Sequence, residues 1–190
     1  IDSSGNVGIG DTTPGEKLYV NGKAYLIKGI FYDPVPKGKE KRSFDTIDQD
    51  LNLMRQAGIN TIRVYEPIDD IKILDKLHAA SIKIIIGFGY NQNGFYDIAS
   101  GTLLDYVEKY KHHPAILFWE LGNEYNYHPE WFKGDIANWY LALNNAAKAL
   151  QEIDPNHPVA TAHGEIPTEE VLEMNPNIDL WGVNVYRWDQ

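Results

Sequence analysis

"AILFWELGNEYNYHPEW", residues 115–131, decides the fold. Its first six residues, Ala115 to Glu120, are apolar but for the last, and the run stops at Gly122. An amide, Asn123, and a carboxylate, Glu124, follow at once, and then Tyr125, Tyr127 and Trp131. A short apolar run that ends in polar groups describes a buried strand delivering side chains to one edge of a sheet.

Outward from it the same rhythm repeats. "AYLIKGIFY" precedes "FDTIDQDLNLMRQAG", "INTIRVY" precedes "IDDIKILDKLHAAS", and "IKIIIGFG" precedes "IASGTLLDYVEKYKHH". After the central run come "WFKGDIANWYLALNNAAKALQEI", "HPVATAH", "PTEEVLEM" and "IDLWGVNVY". Ile47, Leu51, Met54 and Ala57 form a helical stripe, with Ser43 and Asp45 as candidate caps and Gly58 as its stop. Asp154-Pro155 closes another helix. The strands are nearly continuous in Ile, Val and Leu, as in parallel strands covered by helices. Six such β/α repeats predict an α/β fold, a partial (β/α)8 TIM barrel with strands 1–6 only, in which functional groups sit at the C-terminal strand ends. The alternative, an open doubly wound sheet, calls for a Gly-rich phosphate loop after its first strand, and "GIFYDPVPKG" is not one.

Residues 1–16 are predicted as a linker or short β appendage, and residues 17–190 as the incomplete barrel. Asn21-Gly22 predicts an N-terminal β-hairpin within residues 17 to 27.

The 190 residues carry 17 basic and 27 acidic side chains, a net charge of −10. That acidity argues against nucleic acid or an anionic membrane as partner. Cysteine is absent, so disulfides and thiolate metal sites are excluded. His112-His113 marks a helix end, and no His spacing makes a metal site, so no cofactor is expected. The candidate mouth gathers Tyr32 and Asp33, Arg63 with Tyr65 and Glu66, Tyr90 with Asn91 and Gln92, and Asn123 with Glu124. His163 and Glu165, then Asn184, Tyr186 and Trp188, complete it. Amides, carboxylates and rings without metal ligands suit a neutral polyhydroxylated ligand. Glu124, set among rings, is expected to have its acid form favoured, as a proton donor in glycoside hydrolysis needs. The other reading of Glu124 is a capping or surface residue.

"WELGNE" resembles the Asn-Glu motif that ends the fourth strand in clan A glycoside hydrolases. "VNGKAYLIKGIFYDP", "GINTIRVYEP" and "DLWGVNVYRW" agree in order and spacing. The first and last resemble family 2, the β-galactosidase and β-glucuronidase types, and family 72, the β-1,3-glucan transglycosylases. The resemblance implies a retaining hydrolase or transglycosylase on β-linked oligo- or polysaccharides. It makes Glu124 the acid/base, Asn123 the ligand of the neighbouring sugar hydroxyl, Arg63 the residue that steadies the nucleophile and Tyr186 a neighbour of that nucleophile. By position, Tyr32, Asn184, Trp188, His163 and Glu165 are substrate-binding candidates. Glu120 is expected to pair with Arg63. The clan's nucleophile is a Glu on a seventh strand, and the resemblance reaches only a sixth. A fragment lacking it would be inactive or weak alone, with self-association covering the open barrel edges. A non-catalytic glycan-binding or assembly barrel is the alternative. The first 22 residues also resemble a segment of phage tail fibres and bacterial surface proteins.

Overall fold

A computed structural model describes residues 7–9, 18–20, 23–91 and 96–184. Three short strands open it: β1 (Val7–Ile9), β2 (Leu18–Val20) and β3 (Lys23–Ala24). β1 runs parallel to β2, and β2 pairs antiparallel with β3, Val20 opposite Lys23. Asn21-Gly22, the expected hairpin turn, lies outside the described residues.

Six further strands make one sheet: β4 (Gly29–Phe31), β5 (Thr61–Val64), β6 (Lys83–Phe88), β7 (Ile116–Asn123), β8 (Val159–His163) and β9 (Leu180–Val183). Their order along the sheet is their order along the chain. β4 with β5, β5 with β6, β7 with β8 and β8 with β9 pair in parallel. Between successive strands lie α1 (Ile47–Gln56), α2 (Ile71–Ala79), α3 (Leu103–Tyr110), α4 (Ala137–Ile153) and α5 (Glu169–Met174). A doubly wound sheet reverses its strand order partway; a barrel does not. The sequential order therefore fits a partial α/β barrel.

The elements divide into two compact units, residues 1–87 with 110–118, and residues 88–109 with 119–190. In the first, α1 buries Ile47, Leu51 and Met54, and α2 buries Ile73, Leu74 and Leu77. Each such side chain contributes about 1.5–3 kcal/mol when fully buried. Ser43 and Asp45 do not cap α1: Thr46 is its N-cap residue and makes no side-chain cap bond, while the Ser43 hydroxyl accepts the Asp45 N–H at 3.2 Å. α2 is capped by Asp70, whose carboxylate accepts the Lys72 N–H at 2.9 Å. His113 closes the turn after α3, its Nδ1 accepting the Ala115 N–H and its Nε2 lying 3.2 Å from Asp75.

In the second unit, α4 buries Trp139, Tyr140, Leu143, Ala147 and Leu150. Trp119 is fully buried, edge-on to Tyr106, and its indole N–H donates to Asp154 at 2.8 Å. Asp154 terminates α4, as its Asp-Pro sequence predicts, and also takes hydrogen bonds from His157 Nδ1 (2.7 Å) and the Asn156 N–H (3.1 Å). A buried carboxylate is tolerated because its oxygens are satisfied.

Candidate active site

The second unit holds the centre of the site, and β7 builds it. Every residue from Ile116 to Gly122 is buried. Trp119 pairs with Val159 and Glu120 with Ala160, but Asn123 pairs with Ala162, so Leu121 and Gly122 together oppose Thr161. Two residues against one make a β-bulge, a device that re-aims the side chains beyond it. Gly122 takes φ +69, and a Cβ there would lie 2.7 Å from the Trp139 ring. Only glycine meets both demands. The Thr161 hydroxyl donates to the Leu121 carbonyl at 2.7 Å and secures the bulge.

Glu124 follows in the left-handed region, φ 55 and ψ 25, with its N–H donating to the Ala162 carbonyl at 2.9 Å. For a residue with a Cβ this conformation costs on the order of 1–2 kcal/mol. Such a cost persists where the surroundings over-determine the backbone, and here the bulge and β8 do so.

Asn184, one residue beyond β9, meets it from the far strand. Its N–H donates to the His163 carbonyl at 2.9 Å. Its side-chain amide donates to Glu124 Oε1 at 2.9 Å and to Asn123 Oδ1 at 3.2 Å. One amide thus joins three of the residues singled out by sequence, 60 and 61 positions apart.

His163 ends β8 and is buried. Its Nδ1 lies 2.6 Å from the Glu165 carbonyl, which places the ring proton there and leaves Nε2 to accept from the Tyr140 hydroxyl at 3.0 Å. Burial pushes the Tyr140 hydroxyl above its ordinary pKa, which keeps it protonated as that donor. Trp181 stands edge-on to the His163 ring. Both ring nitrogens are engaged by protein atoms, so His163 holds the strand end in place.

The Tyr127 hydroxyl lies 2.8 Å from both Glu165 Oε1 and the Gly164 carbonyl. Asn126 Oδ1 accepts the Gly164 N–H at 3.0 Å. A Cβ on Gly164 would sit 2.0 Å from the Tyr127 ring, so the ring lies directly on the glycine. The loops after β7 and β8 are pinned together. Sequence reasoning missed Asn126, Tyr127 and Tyr140 as ties; Gly164 beside the polar strand end was the available signal.

The rings around Glu124 divide into two sets. Tyr125, Phe132 and Trp139 are buried against one another, with Tyr125 to Trp139 at 4.8 Å, and Tyr90 joins them at 5.0 Å from Phe132. The Tyr90 N–H donates to the Tyr125 hydroxyl at 3.2 Å, and burial pushes that hydroxyl's pKa up. Tyr127 and Trp131 remain exposed.

The first unit carries Arg63 and Tyr32. Arg63, on β5, is partly buried and lays its guanidinium 4.8 Å over the Tyr65 ring, which packs on Phe31 at 4.2 Å. The Tyr32 hydroxyl donates to Asp50 at 2.7 Å, tying the end of β4 to α1. Burial, then that carboxylate, raises its pKa well above the ordinary value. Glu120 is buried within β7. Tyr186, Trp188 and Gln92 lie outside the described residues.

No protein-family model matches the chain. By sequence it is similar to a β-glucuronidase of Bacteroides fragilis, 29% identical over 171 residues, covering 81% of this chain and 23% of that protein. By structure it is similar to a β-glucuronidase of Parabacteroides merdae, with TM-score 0.69, 19% identity, 88% of this chain and 22% of the other covered. A β-glucuronidase of Bacteroides uniformis gives TM-score 0.68, 19% identity, and coverages of 88% and 22%. A glycosyl hydrolase family 2 member from Bacteroides cellulosilyticus gives 0.63, 19%, 87% and 22%. At these identities the structures show a shared fold. The chain spans less than a quarter of each relative's length. Sequence and fold together support a relationship to the glycoside hydrolases.

Proposed function

We propose that these residues form the acid/base side of a retaining glycoside hydrolase of clan A, closer to family 2 than to family 72, acting on β-linked glycans. The observation that carries this reading is the Asn184 amide joined to both Asn123 and Glu124 at the bulged end of β7. A proton donor must be held in one orientation at a solvent-reachable strand end, and this arrangement holds Glu124 so.

Glu124 protonates the leaving oxygen, and in the second step takes a proton from the attacking water. Asn123 binds the sugar hydroxyl beside the reacting carbon. The clan resemblance assigns Arg63 and Tyr186 to the side of the nucleophile, a second carboxylate that a retaining geometry sets about 5–5.5 Å from the acid/base. Tyr32, Asn184, Trp188, His163 and Glu165 are retained as substrate-binding candidates. β4, at one end of the strand order, exposes Ile30 and Phe31, and self-association covers that edge. A monomer by light scattering, with no binding of a hydrophobic dye, would remove that part of the proposal.

A second reading, a glycan-binding barrel without turnover, draws support from Glu165, whose carboxylate is engaged by Tyr127. The test is turnover of β-linked aryl glycosides by wild type and Glu124→Gln, for this chain and for one extended through a seventh strand. Loss of about 10²- to 10⁴-fold in the mutant, steepest for poor leaving groups, is expected. Activity unaffected by Glu124→Gln would end the assignment; binding without turnover in the extended chain would favour the second reading.

A further inference from the structure

The loop that follows Glu124 contains four aromatic side chains and a histidine, and they are treated differently by the fold. Tyr125 and Phe132 are buried, and the Tyr127 hydroxyl is engaged with the loop after β8. Trp131 is 52% exposed yet tightly held. The His128 ring stacks on one face at 3.9 Å and an interplanar angle of 6°. The Tyr125 ring meets Trp131 edge-on at 5.3 Å. His128 is itself fixed, with Nδ1 2.8 Å from Glu130 Oε1. The Trp131 N–H donates to the His128 carbonyl at 3.1 Å, and the neighbouring Phe132 anchors the turn in the core against Trp139 at 5.3 Å. A large indole half in water is ordinarily a mobile surface group. This one is clamped on a face and an edge, and its remaining surface is a preset flat apolar plane.

We propose that Trp131 is a stacking platform for a neutral pyranose ring of a β-linked glycan, set apart from the bond that Glu124 addresses. The proposal rests on the glycoside-hydrolase reading above and deepens it. An equatorially substituted pyranose presents a face of C–H groups that matches an indole plane in size and polarity. The Glu130 carboxylate next in sequence is held below its ordinary pKa, first by the His128 hydrogen bond, and so is anionic at neutral pH. A carboxylate beside the indole favours a neutral ring over an acidic one at this position.

The test compares a disaccharide with a pentasaccharide, cellobiose with cellopentaose and laminaribiose with laminaripentaose, by calorimetric titration. The wild type is expected to bind the pentasaccharide of at least one series about 3- to 10-fold more tightly, the range an aromatic contact supplies. Trp131→Ala should bring that ratio to about one and leave disaccharide binding unchanged, while Trp131→Phe, which keeps a ring and guards against a folding defect, should retain most of it. A ratio that survives in Trp131→Ala, or a wild-type ratio near one with both lengths bound, overturns the platform and leaves the hydrolase reading standing. If no glycan of either length binds, the platform as proposed falls, and the hydrolase reading is decided by the turnover test alone. Turnover by Glu124→Gln is read separately, and its length ratio should match the wild type.

Discussion

Asn184 holds Glu124 by a 2.9 Å hydrogen bond across 60 residues of chain, and donates to Asn123 with the same amide group. The two acceptors lie on one strand end and the donor beyond another, so the site exists only when β7, β8 and β9 are in register. Asn184→Ala is expected to lower kcat/KM of an active, extended chain about 10- to 100-fold by freeing the carboxylate, with a stability loss near 1 kcal/mol. Steady-state kinetics beside a urea melt separates the two. A rate unchanged while stability falls would make Asn184 structural only.

Gly122→Ala should be severe. The left-handed backbone and the 2.7 Å approach of Trp139 both oppose a Cβ, and a loss of about 2–4 kcal/mol is expected in denaturant titration. A shift within 0.5 kcal/mol, ordinary for a neutral surface site, would mean the bulge is not the fixed element described here.

Asp154 gives a pH signature away from the site. Burial pushes its carboxyl upward, but hydrogen bonds from His157, the Trp119 indole and the Asn156 N–H outweigh it, and the net shift is downward from 3.8. A folded-state value below the unfolded one contributes stability that is complete above pH 3.8 and is lost as pH falls through the folded value. The urea midpoint of the wild type should therefore drop below about pH 4, and that of Asp154→Asn should drop less steeply over the same range. Parallel pH profiles would refute the assignment. At pH 7 Asp154→Ala should cost about 2–4 kcal/mol by orphaning the indole and imidazole donors.

Tyr140→Phe removes the hydroxyl that donates to His163 Nε2. The expected cost is about 1 kcal/mol, with glycan affinity unchanged, because His163 is occupied by the protein on both sides. A selective loss of affinity would show that His163 also meets the ligand.

The alternation of strands and helices was legible from apolar period alone, because buried parallel strands and one-faced helices leave strong local patterns. The stop of α4 at Asp154 was legible for the same reason, as Asp-Pro acts on its own neighbours. The cap of α1 was not: Ser43 and Asp45 have the right chemistry, but the segment from Pro34, whose carbonyl accepts the Ser43 N–H, sets where the helix begins. Glu124 could be named from its place at a strand end, yet its left-handed backbone depends on a bulge that forms only against Thr161. The sharing of the Asn184 amide, and the engagement of Tyr32 by Asp50, depend on side chains distant in sequence. Such pairings carry no periodic trace.

The Tyr127 ring lying on Gly164 has a consequence for how this rim can change over generations. Any side chain at position 164 demands a smaller residue at 127, and a smaller residue at 127 forfeits the hydroxyl contacts to the Glu165 carboxylate and the Gly164 carbonyl. The two loops must therefore be altered as a pair, and a library that randomises either one alone will return mostly the parent sequence.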